Sequence, residues 1–177
     1  MIAALILAGP GGPERLAEQW LALRGAGLDP LRIATGRGAR GAPGSGLARE
    51  NFVADRSRAG TPFSALQSGL RALLAADEWD AVVIQPAEAP PPHPSVVLAL
   101  LERLADGDAG AVRPAHGRRG GYPVAVDRTA AEVLLDLDPR RATLEEVLAE
   151  LEDAGLAVRL EVYTDEVLSG PRRGSRR

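Results

Sequence analysis

The stretch Asp80–Pro94 reads DAVVIQPAEAPPPHP, and it decides how the rest of the chain is interpreted. Its first part, Ala81–Ile84, is a short apolar run rich in β-branched residues, which is typical of a strand buried on both faces of a parallel sheet. Prolines then end the strand, so Glu88 follows the carboxyl end of a central strand. Ligands of open α/β sheets bind at that edge, and a carboxylate there can hold a divalent cation that in turn holds phosphates. The alternative is a solvated loop position for Glu88, and this stretch alone favours it.

Composition indicates one globular domain. The chain has 177 residues, of which 45% are hydrophobic and 3% aromatic, so its core is built from Leu, Val and Ala. It contains no apolar run of about 18 residues, the length that predicts a membrane span. The apolar run Ile2–Ala8 lacks a basic leader and a cleavage site, so we expect a strand and not a signal peptide. There is no cysteine, which favours a cytoplasmic protein and excludes thiolate chemistry.

The distribution of charge argues against nucleic acid as a partner. All 21 basic residues are arginine, and the net charge is −3. Four of these arginines lie in the last six residues, and without them the rest of the chain carries a net charge of about −7. We therefore expect no basic nucleic-acid-binding face. The tail 171–177, PRRGSRR, is predicted to be disordered and the folded domain to cover 1–170.

Strand and helix patterns alternate along the chain. The prediction is therefore a single doubly wound, Rossmann-like α/β domain with a mostly parallel sheet and helices on both faces. Thr61 and Thr143 are predicted to cap helices, and the alternation of Val158, Leu160 and Val162 with polar residues predicts an edge strand. Strands are predicted at Met1–Ala8, Leu31–Thr35, Asn51–Ala54, 81–84, 110–114, 124–126 and 158–162, and helices from Pro13, Pro62 and Pro94 and near 129–137 and 143–154.

Glycines follow the first predicted strand and precede a helix. In this arrangement, Gly9–Gly12 can present backbone N–H groups and a helix N-terminus to a phosphate. The pattern is neither GxGxxG nor a P-loop, and a tight strand-to-helix turn needs glycine in any case. Phosphate binding and a plain turn both remain open at this point.

Four stretches, taken in order, resemble the MobA-like nucleotidyltransferases. They are Leu5–Gly9 (LILAG), Thr61–Leu70 (TPFSALQSGL), Ile84–Pro92 (IQPAEAPPP) and Arg119–Pro123 (RGGYP). This family includes the enzymes that attach CMP or GMP to molybdopterin and related sugar-phosphate nucleotidylyltransferases. The resemblance spans nearly the whole chain, and it implies a fold of the nucleotide-diphospho-sugar transferase type.

The resemblance also implies a reaction and a set of site residues. The reaction is transfer of NMP from CTP or GTP to a phosphorylated acceptor, such as molybdopterin or a sugar phosphate, with Mg²⁺ or Mn²⁺ as cofactor. The residues that it implies are Glu88 and Arg15 for catalysis; Ala8, Gly9, Gly11, Gly12, Ser64 and Gln67 for the nucleotide; Arg119, Gly121 and Tyr122 for the acceptor; and Glu88 and Asp165 for the metal.

The chain also departs from the pattern of this family. Its first loop lacks the family's Lys and leaves Arg15 as the nearby cation, Glu88 stands where the family has Asp, Tyr122 replaces His, and Tyr163 replaces the Asp for which Asp165 would substitute. These differences favour a second reading. In it, the chain is a catalytically degenerate member that serves as a binding or regulatory subunit, with a protein partner or as a homodimer. A third reading, an unrelated α/β nucleotide binder, would be favoured by a sheet order unlike 3-2-1-4-5.

Overall fold

Eight strands form one sheet in the part of the chain that the structure describes. A computed structural model describes residues 1–9, 12–36, 43–76, 78–117, 119–140 and 143–162. The strands are β1 (Ile2–Leu7), β2 (Leu31–Thr35), β3 (Phe52–Ala54), β4 (Ala81–Pro86), β5 (Ala111–His116), β6 (Arg119–Gly120), β7 (Val124–Asp127) and β8 (Ala157–Glu161).

The sheet is mixed, with a parallel half and a half that contains antiparallel pairs. Its order is β3-β2-β1-β4-β7-β5-β6, with β8 also paired to β5. The pairs among β1, β2, β3 and β4 are parallel, as is β5 with β8, whereas β7 runs antiparallel to both β4 and β5. The doubly wound, Rossmann-like prediction is confirmed. The antiparallel strands have a simple cause: the connections around 117–123 are too short for a crossover helix, so the chain must turn back.

Helices cover both faces of the sheet, as predicted. They are α1 (Gly12–Gly25), α2 (Pro62–Ala76), α3 (Pro94–Ala105), α4 (Arg128–Asp136) and α5 (Leu144–Asp153), with a 3-10 turn at Arg49–Asn51. Alternate residues of β1 face opposite sides. Leu5 packs with Leu66 of α2 and Leu134 of α4, whereas Ile6 packs with Leu16 of α1 and Val97 of α3.

Both predicted threonine caps are present. The Ser64 N–H donates to Thr61 Oγ1 at 3.0 Å at the start of α2, and the Glu146 N–H donates to Thr143 Oγ1 at 3.2 Å at the start of α5. The strand β8 is also confirmed as an edge strand, because β5 is its one partner among the described strands and its residues alternate in burial. None of the described helices combines the length and the apolar character that crossing a membrane requires.

Helix α2 approaches the sheet closely at Gly69. A Cβ at this position would lie 2.6 Å from Leu5 Cδ1 and 3.1 Å from the Ala34 Cβ, and both neighbours are buried. Real Cβ atoms essentially never make contacts as short as the one with Leu5, so a larger residue requires buried neighbours or α2 itself to shift. The helix that leads toward the candidate site therefore depends on a glycine in its middle.

We predict that Gly69→Ala lowers the free energy of unfolding by up to about 2 kcal/mol. Alanine would improve helix propensity by about 1 kcal/mol, but overpacking a core costs about 1–3 kcal/mol. Urea denaturation followed by circular dichroism measures the change. Gly25→Ala is the matched control, since no atom lies within 4 Å of its Cβ position. Equal stability of Gly69→Ala and Gly25→Ala would contradict the close packing.

Candidate active site

The carboxyl ends of β1 and β4 bring two sequence motifs together. Leu7 pairs with Pro86, and the Ala87 N–H donates to the Leu7 carbonyl at 2.9 Å. Gly9 and Glu88 consequently lie side by side, although they are far apart in the sequence. The Glu88 side chain is exposed and packs against Gly9, where a Cβ would be 2.8 Å from the Glu88 Cδ and would overlap its carboxylate. In this conformation the carboxylate occupies the space that a Cβ at position 9 would take.

Helix α1 lies next to the turn that carries Glu88. It begins at Gly12, whose φ of +79° is in the left-handed region that glycine tolerates. One turn further on, Arg15 Nη1 donates to the Glu88 carbonyl at 2.9 Å. Gln19 Nε2 donates to the Ala89 carbonyl at 2.5 Å. Arg15, which was predicted to be catalytic, is thus tied to the backbone beside the Glu88 carboxylate.

The hydroxyl of Ser64, a predicted nucleotide-binding residue, is used within the protein. It donates to Asp55 Oδ2 at 2.5 Å and is 1% exposed. Asp55 follows β3 directly and also accepts hydrogen bonds from Ser57 and Ser68. Burial raises the pKa of Asp55, but the hydrogen bonds from Ser64, Ser57 and Ser68 outweigh it and hold that pKa below its usual value. Sequence reasoning missed Asp55, even though a lone Asp after a strand and ahead of three serines was a usable signal.

Gln67 is similarly committed to internal contacts. Its Nε2 donates to the carbonyls of Leu134 at 3.0 Å and Leu137 at 2.8 Å, which are at the end of α4. The side chain is 1% exposed. The nucleotide contacts expected for Ser64 and Gln67 therefore stay predictions, whereas the described contacts give both side chains a role in joining α2 to its neighbours.

The predicted acceptor residues form the short hairpin between β5 and β7. The Gly121 N–H donates to the Pro114 carbonyl at 2.7 Å, and Arg119 is exposed with no ion pair to any described residue. Burial of Tyr122, together with the charge and hydrogen bond of Glu145, raises the pKa of its hydroxyl, and the charge of Glu88 adds to this rise. Tyr122 is therefore a neutral hydrogen-bond donor, and it lies within electrostatic reach of the Glu88 carboxylate.

A buried arginine packs against the backbone of this hairpin. Arg113 on β5 donates to Glu145 and to Glu152, both at 2.6 Å, and its side chain is 5% exposed. A Cβ at Gly120 would overlap the Arg113 guanidinium, so the hairpin backbone rests directly on that group. Arg159 pairs with Glu152 at 2.5 Å and extends the network to β8. No sequence pattern revealed this network, in which the paired residues Arg113 and Glu152 are 39 residues apart.

The donor set at this edge fits a cation that retains most of its water. The described residues contain no group of three or more His, Cys, Asp or Glu side chains that could enclose a metal. Glu88 is the carboxylate that the structure places at the ends of β1 and β4. Magnesium binds through one or two carboxylates together with waters and substrate phosphates, so a single exposed carboxylate beside open backbone is compatible with it. The predicted residues Gly11 and Asp165, with Tyr163 and the tail 171–177, lie outside the described residues.

Comparison with known proteins shows the family of this chain. The model of the MobA-like NTP transferase domain matches residues 5–154. The chain belongs to the MobA-like NTP transferase family. The match to this family covers Gly9, the Glu88 turn and the hairpin between β5 and β7, so the resemblance inferred from four short motifs is confirmed. A comparison with curated protein sequences finds no match.

Solved structures share the fold of this MobA-like chain at low sequence identity. The Rv0371c protein of Mycobacterium tuberculosis, crystallised with manganese, is 19% identical with a TM-score of 0.66, covering 91% of this chain and 87% of that one. The 4-diphosphocytidyl-2C-methyl-D-erythritol synthase of Anaerococcus prevotii is 14% identical with a TM-score of 0.67, covering 97% and 91%. A CMP:2-keto-3-deoxy-manno-octonic acid synthetase in complex with CTP is 16% identical with a TM-score of 0.61, covering 92% and 90%.

We predict that Asp55→Ala lowers the free energy of unfolding by roughly 2–3 kcal/mol at pH 7, because three serines lose a charged acceptor. The pKa of Asp55 is lowered on folding, so its stabilisation is present above the unfolded pKa, about 3.9. It is lost as the pH falls through the folded pKa. Urea denaturation of wild type and Asp55→Ala at pH 7 and pH 3 should therefore show a smaller difference at pH 3. A difference independent of pH would contradict this role for the carboxylate.

Proposed function

We propose that this chain transfers a nucleoside monophosphate from an NTP, of the CTP or GTP type, to a small phosphorylated acceptor such as molybdopterin or a sugar phosphate. The observation that carries the proposal is the contact of the Glu88 carboxylate with Gly9 at the carboxyl ends of β1 and β4. This edge is where open α/β sheets bind their ligands. Membership of the MobA-like NTP transferase family supports the choice of ligand.

The nucleotide would lie on the backbone between β1 and α1. Ala8, Gly9 and Gly12 offer main chain without bulky side chains, and the N-terminus of α1 presents N–H groups with favourable electrostatics for phosphate. Gly11 would be part of the same loop. Arg15 would place a cation at this end of the helix while it remains bonded to the Glu88 carbonyl.

The chemistry requires alignment more than proton transfer. An oxygen of the acceptor phosphate forms a bond to the α-phosphorus of the NTP, and the bond from that phosphorus to the pyrophosphate oxygen breaks. Glu88, with Asp165 as the predicted second ligand, would hold Mg²⁺ or Mn²⁺, which when bound neutralises charge on the phosphates. Arg119, Gly121 and Tyr122 would hold the acceptor, with the exposed Arg119 guanidinium as the phosphate-binding group.

A second candidate is a catalytically degenerate MobA-like subunit with a binding or regulatory role. The specific observation in its favour is that the first loop has no lysine and that Arg15, the cation of α1 nearest the loop, is already bonded to a backbone carbonyl. Loss of one preorganised charge-stabilising group costs about 10²–10³ in rate. Such a chain would act with a protein partner or as a homodimer.

We predict a metal-dependent rise in Tm when the protein is scanned against each NTP. A ligand at 100 times its Kd stabilises by about 2.7 kcal/mol, which corresponds to roughly 5–10 °C for a chain of this size. Glu88→Gln should abolish the part of the shift that depends on Mg²⁺ or Mn²⁺. Glu102→Gln is the matched control, because it removes the same charge from an exposed position on α3.

The two candidates separate in a turnover assay. With the nucleotide identified by the scan, pyrophosphate release is measured in the presence of a panel of phosphorylated acceptors, including sugar 1-phosphates. Release that Glu88→Gln eliminates supports transfer. Metal-dependent nucleotide binding without pyrophosphate release in the presence of any acceptor supports the non-catalytic subunit. No shift with any nucleotide at millimolar concentration would contradict transfer and favour a degenerate subunit that acts through a protein partner.

A further inference from the structure

The turn that carries Glu88 cannot satisfy its own carbonyl groups. Four of the seven residues in Pro86–Pro92 are proline and have no N–H. The Ala87 N–H is used by Leu7 of β1, and the Ala89 N–H donates to the Pro86 carbonyl at 3.2 Å. The carbonyls at 87–90 must therefore take donors from elsewhere or point into solvent.

Side chains from two other elements supply those donors. Gln19 Nε2 donates to the Ala89 carbonyl at 2.5 Å and more distantly to the Ala87 carbonyl at 3.5 Å. The other two carbonyls also accept from side chains. Arg15 Nη1 donates to the Glu88 carbonyl at 2.9 Å, and Gln85 Nε2 donates to the Pro90 carbonyl at 2.9 Å. Four consecutive carbonyls thus receive side-chain donors, and Arg15 and Gln19 are one helical turn apart on α1.

The two glutamine amides have one usable orientation. Gln19 is 1% exposed and Gln85 is fully buried, so neither can rotate toward solvent. In both, the amide oxygen is buried and accepts no hydrogen bond in the described part of the chain. Turning either amide over would place that oxygen against a carbonyl oxygen, which is repulsive. The N–H groups are therefore fixed in the direction of the turn.

From these contacts we infer that Gln19 and Gln85 are positioning residues for the Glu88 carboxylate. They hold the turn 87–90 in one conformation, which keeps the carboxylate over Gly9 before any ligand arrives. Arg15 contributes the same kind of bond from the exposed side. The mechanistic consequence, a preset metal ligand, rests on the proposed function, whereas the fixed turn does not.

The first experiment measures the mobility of the turn directly. We expect Gln19→Leu, which keeps the volume of the side chain and removes its donor, to lower the ¹⁵N order parameters of the Glu88 and Ala89 amides from about 0.85 to below about 0.7. Gln85→Met should do the same from the other side of the turn. Leu100→Ala is the matched control: it creates a cavity in the core beneath α3, away from the turn, and lowers stability by a comparable or larger amount.

The second experiment measures Mn²⁺ binding by electron paramagnetic resonance, with the metal alone as the probe. Gln19→Leu is expected to raise the Kd for Mn²⁺ about tenfold, as loss of a group that orients a metal ligand does, while Leu100→Ala leaves it unchanged. Unchanged order parameters at Glu88 and Ala89 in both glutamine variants would overturn the inference. If Glu88→Gln does not weaken Mn²⁺ binding, the metal site of the proposed function fails instead, and the order parameters still decide the role of the glutamines.

Discussion

The parallel pairing of β1 with β4 is the constraint on which the site depends. Its register places Leu7 opposite Pro86, so that the residues after both strands leave the sheet side by side. One exit is a glycine and the other carries an acidic side chain, and the carboxylate of Glu88 occupies the space that any side chain at position 9 would need. A shift of one residue in this register would move Glu88 away from Gly9 and would turn the buried faces of β4 around.

The same register places the proline-rich turn where α1 can supply hydrogen-bond donors to its carbonyls. The prolines end β4 because they have no N–H to donate to a neighbouring strand. For the same reason they leave a run of carbonyl groups without donors inside the turn. Helix α1 packs against the same face of the sheet as Ile6, which brings Arg15 and Gln19 alongside the turn. The backbone carbonyls of the turn therefore need the side-chain donors of α1, and these hydrogen bonds determine where Glu88 lies.

Periodicity predicted most of the fold, and local chemistry predicted less of the site. Alternating strands and helices, both threonine caps and the edge strand β8 follow from patterns that extend over a few residues, and all are present. The antiparallel course of β7 was not anticipated, although the short connection after His116 leaves no room for a crossover helix. Sequence patterns placed Gly9 and Glu88 each at the end of a strand, but their contact follows from the pairing of β1 with β4, which no local pattern gives.

The residues that were missed share a physical reason. In the sequence, Arg113 is a charged residue within an apolar strand, and Glu145 and Glu152 resemble the solvent-facing residues of a helix. No local pattern reveals that they pair, because 32 and 39 residues separate them from Arg113. Such a buried charge is tolerated when it is paired and hydrogen-bonded, as Arg113 is to both glutamates. The network also touches the hairpin between β5 and β7, through Gly120 and Tyr122. The hairpin and the Glu88 turn are consequently held by separate sets of side chains, and the space between them is where the two substrates of the proposed transfer would meet.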